Sequence, residues 1–407
     1  MKVGIGYCHG QDAFSAGKKG AEDAMEKGGL SRPDFVFAFC SEKVDPDEFF
    51  KGVQSVIGEK TPITGGSAIG VITNDELSYE GSAAAVAVIE SDRVQFKVLA
   101  VDGLDKSEKL AGKRLAETIT NRTEGSALII FYDSIKIPAT KDSPPVLNAS
   151  APLITGVEKG LHANMPVWGA GLLSDHDFQN PIRQFCGTHV DSQSVVGVLL
   201  SGSFTPYFRI MHGCSPLDGV YHKITKIEGA TLYELDGKPI VNMIDELYGN
   251  QDWRDRHPVD LLTLGVNHGK RFEAPEEANY VNRLISGVLP DGNGITIFEP
   301  DFERGSEIQF MLRDSARMID SARKNSLDLM DQIKADGKKA AFGLYIDCAG
   351  RTAGFSNTMH EEAGEIMDVL SRHKIPLLGF YSGVEIAPFL QKSRGLDWTG
   401  VLLVLAE

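Results

Sequence analysis

The segment Met165-Pro-Val-Trp-Gly-Ala-Gly171 has a counterpart on either side: Pro62-Ile-Thr-Gly65-Gly66 upstream and Ile375-Pro-Leu-Leu-Gly-Phe380 downstream. Each lies between an amphipathic stretch and a later, closing apolar run. Working outward from them gives three similar units. The first reads as a strand over 2–7, a helix over 14–27, the apolar strand Asp-Phe-Val-Phe-Ala-Phe-Cys over 34–40, a helix over 46–57, the Pro-to-Gly segment, and a closing run over 83–89. The second has a strand over 95–101, a helix over 106–120, an apolar strand over 127–131, a helix over 149–161 and a closing run over 195–200. In the third, a strand over 308–312 precedes a helix over 315–335, a strand over 340–346, a helix over 361–372 and a closing run over 400–405. Continuous apolar strands alternating with helices point to α/β layers with helices outside mixed sheets. The stretch from about 204 to 300 breaks the rhythm. Its Pro206, Pro216 and Asp218-Gly signals predict a boundary near 205–215, so two domains are expected, 1–205 and 206–407.

The chain has 407 residues, enough for more than one hydrophobic core. With 41 Lys and Arg against 56 Asp and Glu, the net charge is −15, which argues against a nucleic-acid partner. No apolar run approaches the roughly 18 residues of a membrane span, and the first residues lack the pattern of a secretory signal. Five scattered cysteines without Cys-x-x-Cys spacing fit reduced thiols in a cytoplasmic protein. On that reading the sequons at Asn121 and Asn148 are accidental.

Enzyme signatures are scarce. Gly65-Gly66-Ser67-Ala68-Ile69-Gly70 has neither the spacing of a nucleophile elbow nor that of a dinucleotide loop. His360-Glu361-Glu362 lacks the second histidine of a zinc helix. Cys348-Ala-Gly-Arg351 follows an apolar strand, where α/β sheets deliver loops to a crevice. Arg351 could grip a carboxylate bidentately or pair with an internal carboxylate such as Glu385. Cys348 reads as a small buried residue or, less readily, a nucleophile, since no histidine is close in sequence. Glu385 could take a ligand ammonium or form a salt bridge. Tyr381 and Ser382 offer hydroxyls. Gly350 would let the backbone approach a ligand. Gly65, Gly66 and Ser67 could present backbone N–H groups to an anion or make a turn. Dispersed histidines, among them His162, His176, His189, His212 and His222, leave haem ligation by a single residue open.

Residues 213–250 resemble the start of the FIST C domain, and Cys348-Ala-Gly-Arg351 with Gly379-Phe-Tyr-Ser-Gly-Val-Glu385-Ile is similar to its later signatures. Residues 34–40 and Gly65 to Val71 resemble the FIST N domain. Val71 stands where that loop often has Glu, and Val384 separates Gly383 from Glu385. The resemblance implies a cytoplasmic sensory module with a small-molecule ligand, an amino acid or a related compound. It also implies output through a signalling partner such as a histidine kinase, and some relatives bind haem as nitric-oxide sensors. The ligand-binding set it suggests is Cys348, Arg351, Tyr381, Ser382, Glu385, Gly65, Gly66 and Ser67, with no catalytic or metal residues.

Overall fold

The computed structural model describes residues 1–119, 125–140, 145–161 and 165–407. Asn121 and His162 lie outside the described residues, as does the end of the helix expected to reach 120. Three six-stranded sheets carry the α/β part, and all three have one strand order. The first runs Lys2–His9, Ala83–Glu90, Phe35–Cys40, Ile63–Ser67, and the second Val94–Asp102, Ser194–Gly202, Ala127–Asp133, Val167–Leu172. The third runs Thr205–Met211, Gly400–Ala406, Ala340–Cys348, Leu377–Ser382. In each, the opening, closing and first middle strands pair antiparallel, and the two middle strands pair parallel.

Each sheet is completed by a hairpin from another unit. Gln184–Gly187 with Val190–Asp191 from the second unit pairs onto Ile63–Ser67. Val384–Phe389 with Lys392–Leu396 from the third pairs onto Val167–Leu172. Val71–Thr73 with Leu77–Ser78 from the first pairs onto Leu377–Ser382. The exchange is cyclic, so the threefold repeat read from the Pro-to-Gly segments extends to the pairing. Three rings, one from each unit, meet at its centre: Phe39, Phe131 and Phe380, with centroids 3.9 Å (39 to 380), 5.5 Å (39 to 131) and 5.8 Å (131 to 380) apart.

Helix pairs cover the sheets. Ala13–Gly28 crosses Pro46–Ile57 so closely that a Cβ on Gly17 would stand 2.1 Å from Phe49 O, and one on Gly52 2.1 Å from Phe14 O. The second unit repeats this. A Cβ on Gly112 of Glu108–Glu117 would meet Leu153 O at 2.2 Å, and one on Gly156 of Ser150–Leu161 would meet Lys109 O at 2.1 Å. Glycine at these four crossings lets the backbones touch.

One expectation is corrected. The third unit does not open over 308–312. Its opening strand is Thr205–Met211, paired along its length with Gly400–Ala406. Glu307–Arg313 belongs instead to a nine-stranded sheet built from residues 214–313, where it pairs with Leu262–Asn267, His222–Glu228 and Cys214–Pro216. This insert sits between the opening strand and the helix Ser315–Ala335 and has its own core, including Ile224, Leu232, Ile240, Trp253 and Phe310. All five cysteines are buried and free, and no helix among the described residues is long and apolar enough to cross a membrane.

Candidate functional site

Ala340–Cys348 and Leu377–Ser382 are parallel neighbours with Cys348 beside Ser382, so their outgoing loops leave on one edge. Between those loops, however, Arg351 and Glu362 are spent on one another, while both Asp347 carboxyl oxygens and Glu385 Oε2 are buried without a hydrogen-bond partner. Arg351 ends a 3₁₀ turn and is 1% exposed. Its Nε donates to Glu362 Oε1 at 2.9 Å and stands 3.2 Å from Asp347 Oδ1, and its Nη2 pairs with Glu362 Oε2. Nη1 donates to His212 O at 3.0 Å and Trp398 O at 2.8 Å. Tyr345 donates its hydroxyl to Glu362 Oε1 at 2.7 Å. The carboxylate that holds Arg351 is thus Glu362, not Glu385. Burial and the neighbouring Glu362 push the Asp347 carboxyl up, against the opposing pull of Arg351. A Cβ on Gly350 would stand 2.0 Å from the Trp398 ring, so this glycine admits an indole rather than a ligand.

Ser382 Oγ lies 3.0 Å from Glu385 Oε1 and 3.1 Å from Asp347 O, and both side chains are wholly buried. Burial, then Asp347, pushes the Glu385 carboxyl up. Burial, then Glu385, does the same to the Cys348 thiol, the opposite of what a thiolate nucleophile requires. Gly65 and Gly66, at φ 127° and 142°, are interior to Ile63–Ser67, and a Cβ on Gly65 would meet Ala38 O at 2.1 Å. Ser67 exchanges hydrogen bonds with the Arg183 backbone through its N–H (2.9 Å) and Oγ (3.0 Å), which fastens the hairpin from the second unit.

Tyr381 leads elsewhere. Its hydroxyl donates to Glu361 Oε2 at 3.1 Å, while Tyr79 donates to Glu361 Oε1 at 2.6 Å and the Ala353 N–H to the same oxygen at 2.9 Å. Tyr79 is on the wall of a cavity of about 370 Å³. The cavity opens where the parallel strands of two units end: Ser41 to Lys43 follow Phe35–Cys40, Ile69 follows Ile63–Ser67, and Ser174 to His176 follow Val167–Leu172. Burial, reinforced by Glu361, raises the Tyr79 phenol to about 12, so it is a donor at neutral pH. Asp175 accepts from the Gln179 N–H at 3.1 Å and the Asn180 N–H at 2.7 Å, and Glu42 Oε1 accepts from Asn180 Nδ2 at 2.9 Å. His176 packs on Phe355 with centroids 4.9 Å apart, and burial lowers its pKa, which keeps the imidazole neutral. Lys43 makes no ion pair among the described residues and faces this mixed wall as a free cation. A cavity of about 300 Å³ lies at the other end of the strands, beside Thr73 to Glu76 and before Leu377–Ser382 begins, away from the edge where α/β sheets take ligands.

Sequence reasoning did not reach Tyr79 or the roles of Glu361 and Glu362. The adjacent acidic pair ahead of Ala363–Arg372 was the available signal, but its partners lie 282 residues upstream (Tyr79) and 11 upstream (Arg351).

Another buried carboxyl occupies the corresponding end of the second unit. Asp133 accepts from the Ile135 N–H at 3.0 Å and Gln193 Nε2 at 2.9 Å, yet burial outweighs these bonds and pushes it up to about 6. A folded-state value above the ordinary unfolded value of roughly 3.9 means that its contribution is fully present below about pH 4 and is lost as pH rises through about 6. Asp133→Asn should therefore flatten the fall in stability between about pH 4 and 7 by at most about 3 kcal/mol, as read from urea unfolding at several pH values. An unchanged slope would remove Asp133 as its source.

The FIST N domain matches residues 34–238 and the FIST C domain matches residues 242–388. An uncharacterized protein of Methanocaldococcus jannaschii is 24% identical over 252 residues, 59% of this chain and 45% of that protein, so the chain spans about half the length of the curated relative it matches. A crystal structure of cyanuric acid hydrolase from A. caulinodans aligns with 10% identity and a TM-score of 0.27 over 49% of this chain and 70% of that one, a likeness that carries no argument.

Proposed function

The chain belongs to the FIST family, whose domains are sensory modules of signal transduction, and from that premise we propose that it senses a small polar ligand, an amino acid or a close relative, in the cavity beside Tyr79. One observation carries the reading. The single roomy cavity among those described that lies at the ends of the parallel strands is joined to the interior through Tyr79, Glu361 and Tyr381. Lys43 suits a ligand carboxylate, while Glu42 and Asp175 suit an ammonium, and Tyr79 adds a hydroxyl. A ligand that competes for the Tyr79 hydroxyl loosens Glu361, which also holds the loop after Arg351 through the Ala353 N–H. That loop is the element through which occupancy would reach a partner such as a histidine kinase, in the cytoplasm.

Neither His212 nor His176 suits haem. Both ring nitrogens of His212 are engaged, Nδ1 by the Cys214 N–H at 2.9 Å and Nε2 by Glu277 O at 3.0 Å. His176 faces a polar wall rather than an apolar slot, and its ring is stacked on Phe355.

A thermal-shift screen over the amino acids tests the proposal. A ligand at about 100 times its Kd should add roughly 2.7 kcal/mol of stability. Tyr79→Phe should keep the fold and weaken that ligand at least tenfold. Undiminished binding by the variant would take Tyr79 out of the site.

A further inference from the structure

The sheet formed by residues 214–313 meets the third unit along a narrow cleft of about 30 Å³, lined by His212, Arg313, Ser315, Phe355, Ser356 and Asn357 among others. Arg313 is the last residue of its strand and lies with its guanidinium carbon 3.5 Å from the centre of the buried Trp398 ring. Its Nη1 donates to Asp260 O at 2.6 Å and its Nη2 to Gly350 O at 3.2 Å. These two bonds use two of the five N–H donors of a guanidinium and bring it no negative charge. No carboxylate pairs with it among the described residues. The two acids of the cleft are committed elsewhere: Asp260 to Arg256 at 2.6 Å and Asp314 to the Arg317 N–H at 3.0 Å, where it caps the helix Ser315–Ala335. His212 is neutral, with both ring nitrogens engaged. Burial already disfavours the Arg313 charge, and the nearby Arg351 adds to the effect. A half-buried cation without a counter-ion carries a desolvation cost, and an anion in the adjoining space relieves that cost.

We infer that Arg313 forms an anion site in this cleft and that it takes the carboxylate head group of a small ligand. The planar fork of arginine over an indole matches a planar carboxylate in two-point contact. The cleft has room for a head group and not for a whole metabolite, so the remainder of the ligand projects through its mouth past Phe355 and Asn357. The inference stands apart from the cavity at Tyr79, which uses other residues, although Phe355 touches both through its contact with His176.

The test uses the full chain and sodium formate as probe. Total ionic strength is held constant with sodium methanesulfonate. Melting temperature and tryptophan fluorescence are read together, with Trp398 the indole that Arg313 covers. Both should change saturably with formate, and Arg313→Met should raise the apparent Kd at least tenfold. Should Arg313→Met fail to fold, Arg313→Lys takes its place; it keeps the charge and loses the fork, and the same tenfold loss is expected. The inference is overturned if formate gives no saturable change, if the folded variant binds as tightly as the parent, or if chloride saturates the signal while formate does not.

Discussion

Arg351→Ala should cost the protein about 3–5 kcal/mol, the range found when one partner of a buried ion pair is removed. The guanidinium is the cation between Asp347 and Glu362, and it also joins the carbonyls of His212 and Trp398. Truncation leaves two buried carboxyls facing each other, takes the side-chain donor from the Trp398 carbonyl and leaves the His212 carbonyl only the weak Cys214 thiol at 3.6 Å. In a chain of 407 residues the loss should appear as a fall in melting temperature of about 4–6 °C. Arg351→Met combined with Glu362→Gln should recover much of it, because the double change removes both charges and keeps the volume. A single variant as stable as the parent would show that the pair contributes nothing to the fold and would reopen Arg351 as a ligand contact.

The second large effect concerns the halves. Residues 1–205 alone lack the hairpin Val384–Phe389 with Lys392–Leu396, so Val167–Leu172 becomes an open sheet edge. Residues 206–407 alone lack Val71–Thr73 with Leu77–Ser78, which exposes Leu377–Ser382 in the same way. Each half also loses partners in the ring cluster of Phe39, Phe131 and Phe380. Open apolar edges aggregate. Expressed separately, the halves should be insoluble or bind a hydrophobic dye without a cooperative transition, whereas co-expressed they should purify as a complex. A cooperative melt of 1–205 by itself would contradict the exchange as a requirement for folding and would support two independently folding domains divided at 205.

The strands that could be read in the sequence are those buried on both faces. Phe35–Cys40 is a continuous apolar run, and so are Ala127–Asp133 up to its last residue and Gly400–Ala406. The Pro-to-Gly segments marked the second middle strand of each unit because proline starts the strand and glycine allows close backbone contact within it. Thr205–Met211 escaped because it is an edge strand, half-exposed along much of its length, with about 100 residues of insert between it and its helix. The hairpin exchange escaped because pairing between distant segments leaves no local pattern.

At the loops after Ala340–Cys348 and Leu377–Ser382, the sequence offered Arg351 and Glu385 as possible partners, and the structure pairs Arg351 with Glu362 instead. Arg351 was legible as a residue that must meet a carboxylate. That the carboxylate is Glu362, on the residue preceding a helix, is a consequence of how the loop 349–362 folds back, and no spacing encodes it. Tyr79 belongs to a polar excursion that reads as an ordinary loop; only the third unit, by supplying Glu361, gives it a function.

The most direct test of the proposed ligand cavity is hydrogen exchange, measured by mass spectrometry, on the full chain with and without the amino acid that most raises its melting temperature. Binding at the end of the parallel strands predicts slowed exchange in 41–43, 79–81 and 174–176, together with a change in 353–361 where Glu361 holds the loop. Protection confined to 348–351 and 382–385, or no amino acid that raises the melting temperature at all, would contradict it.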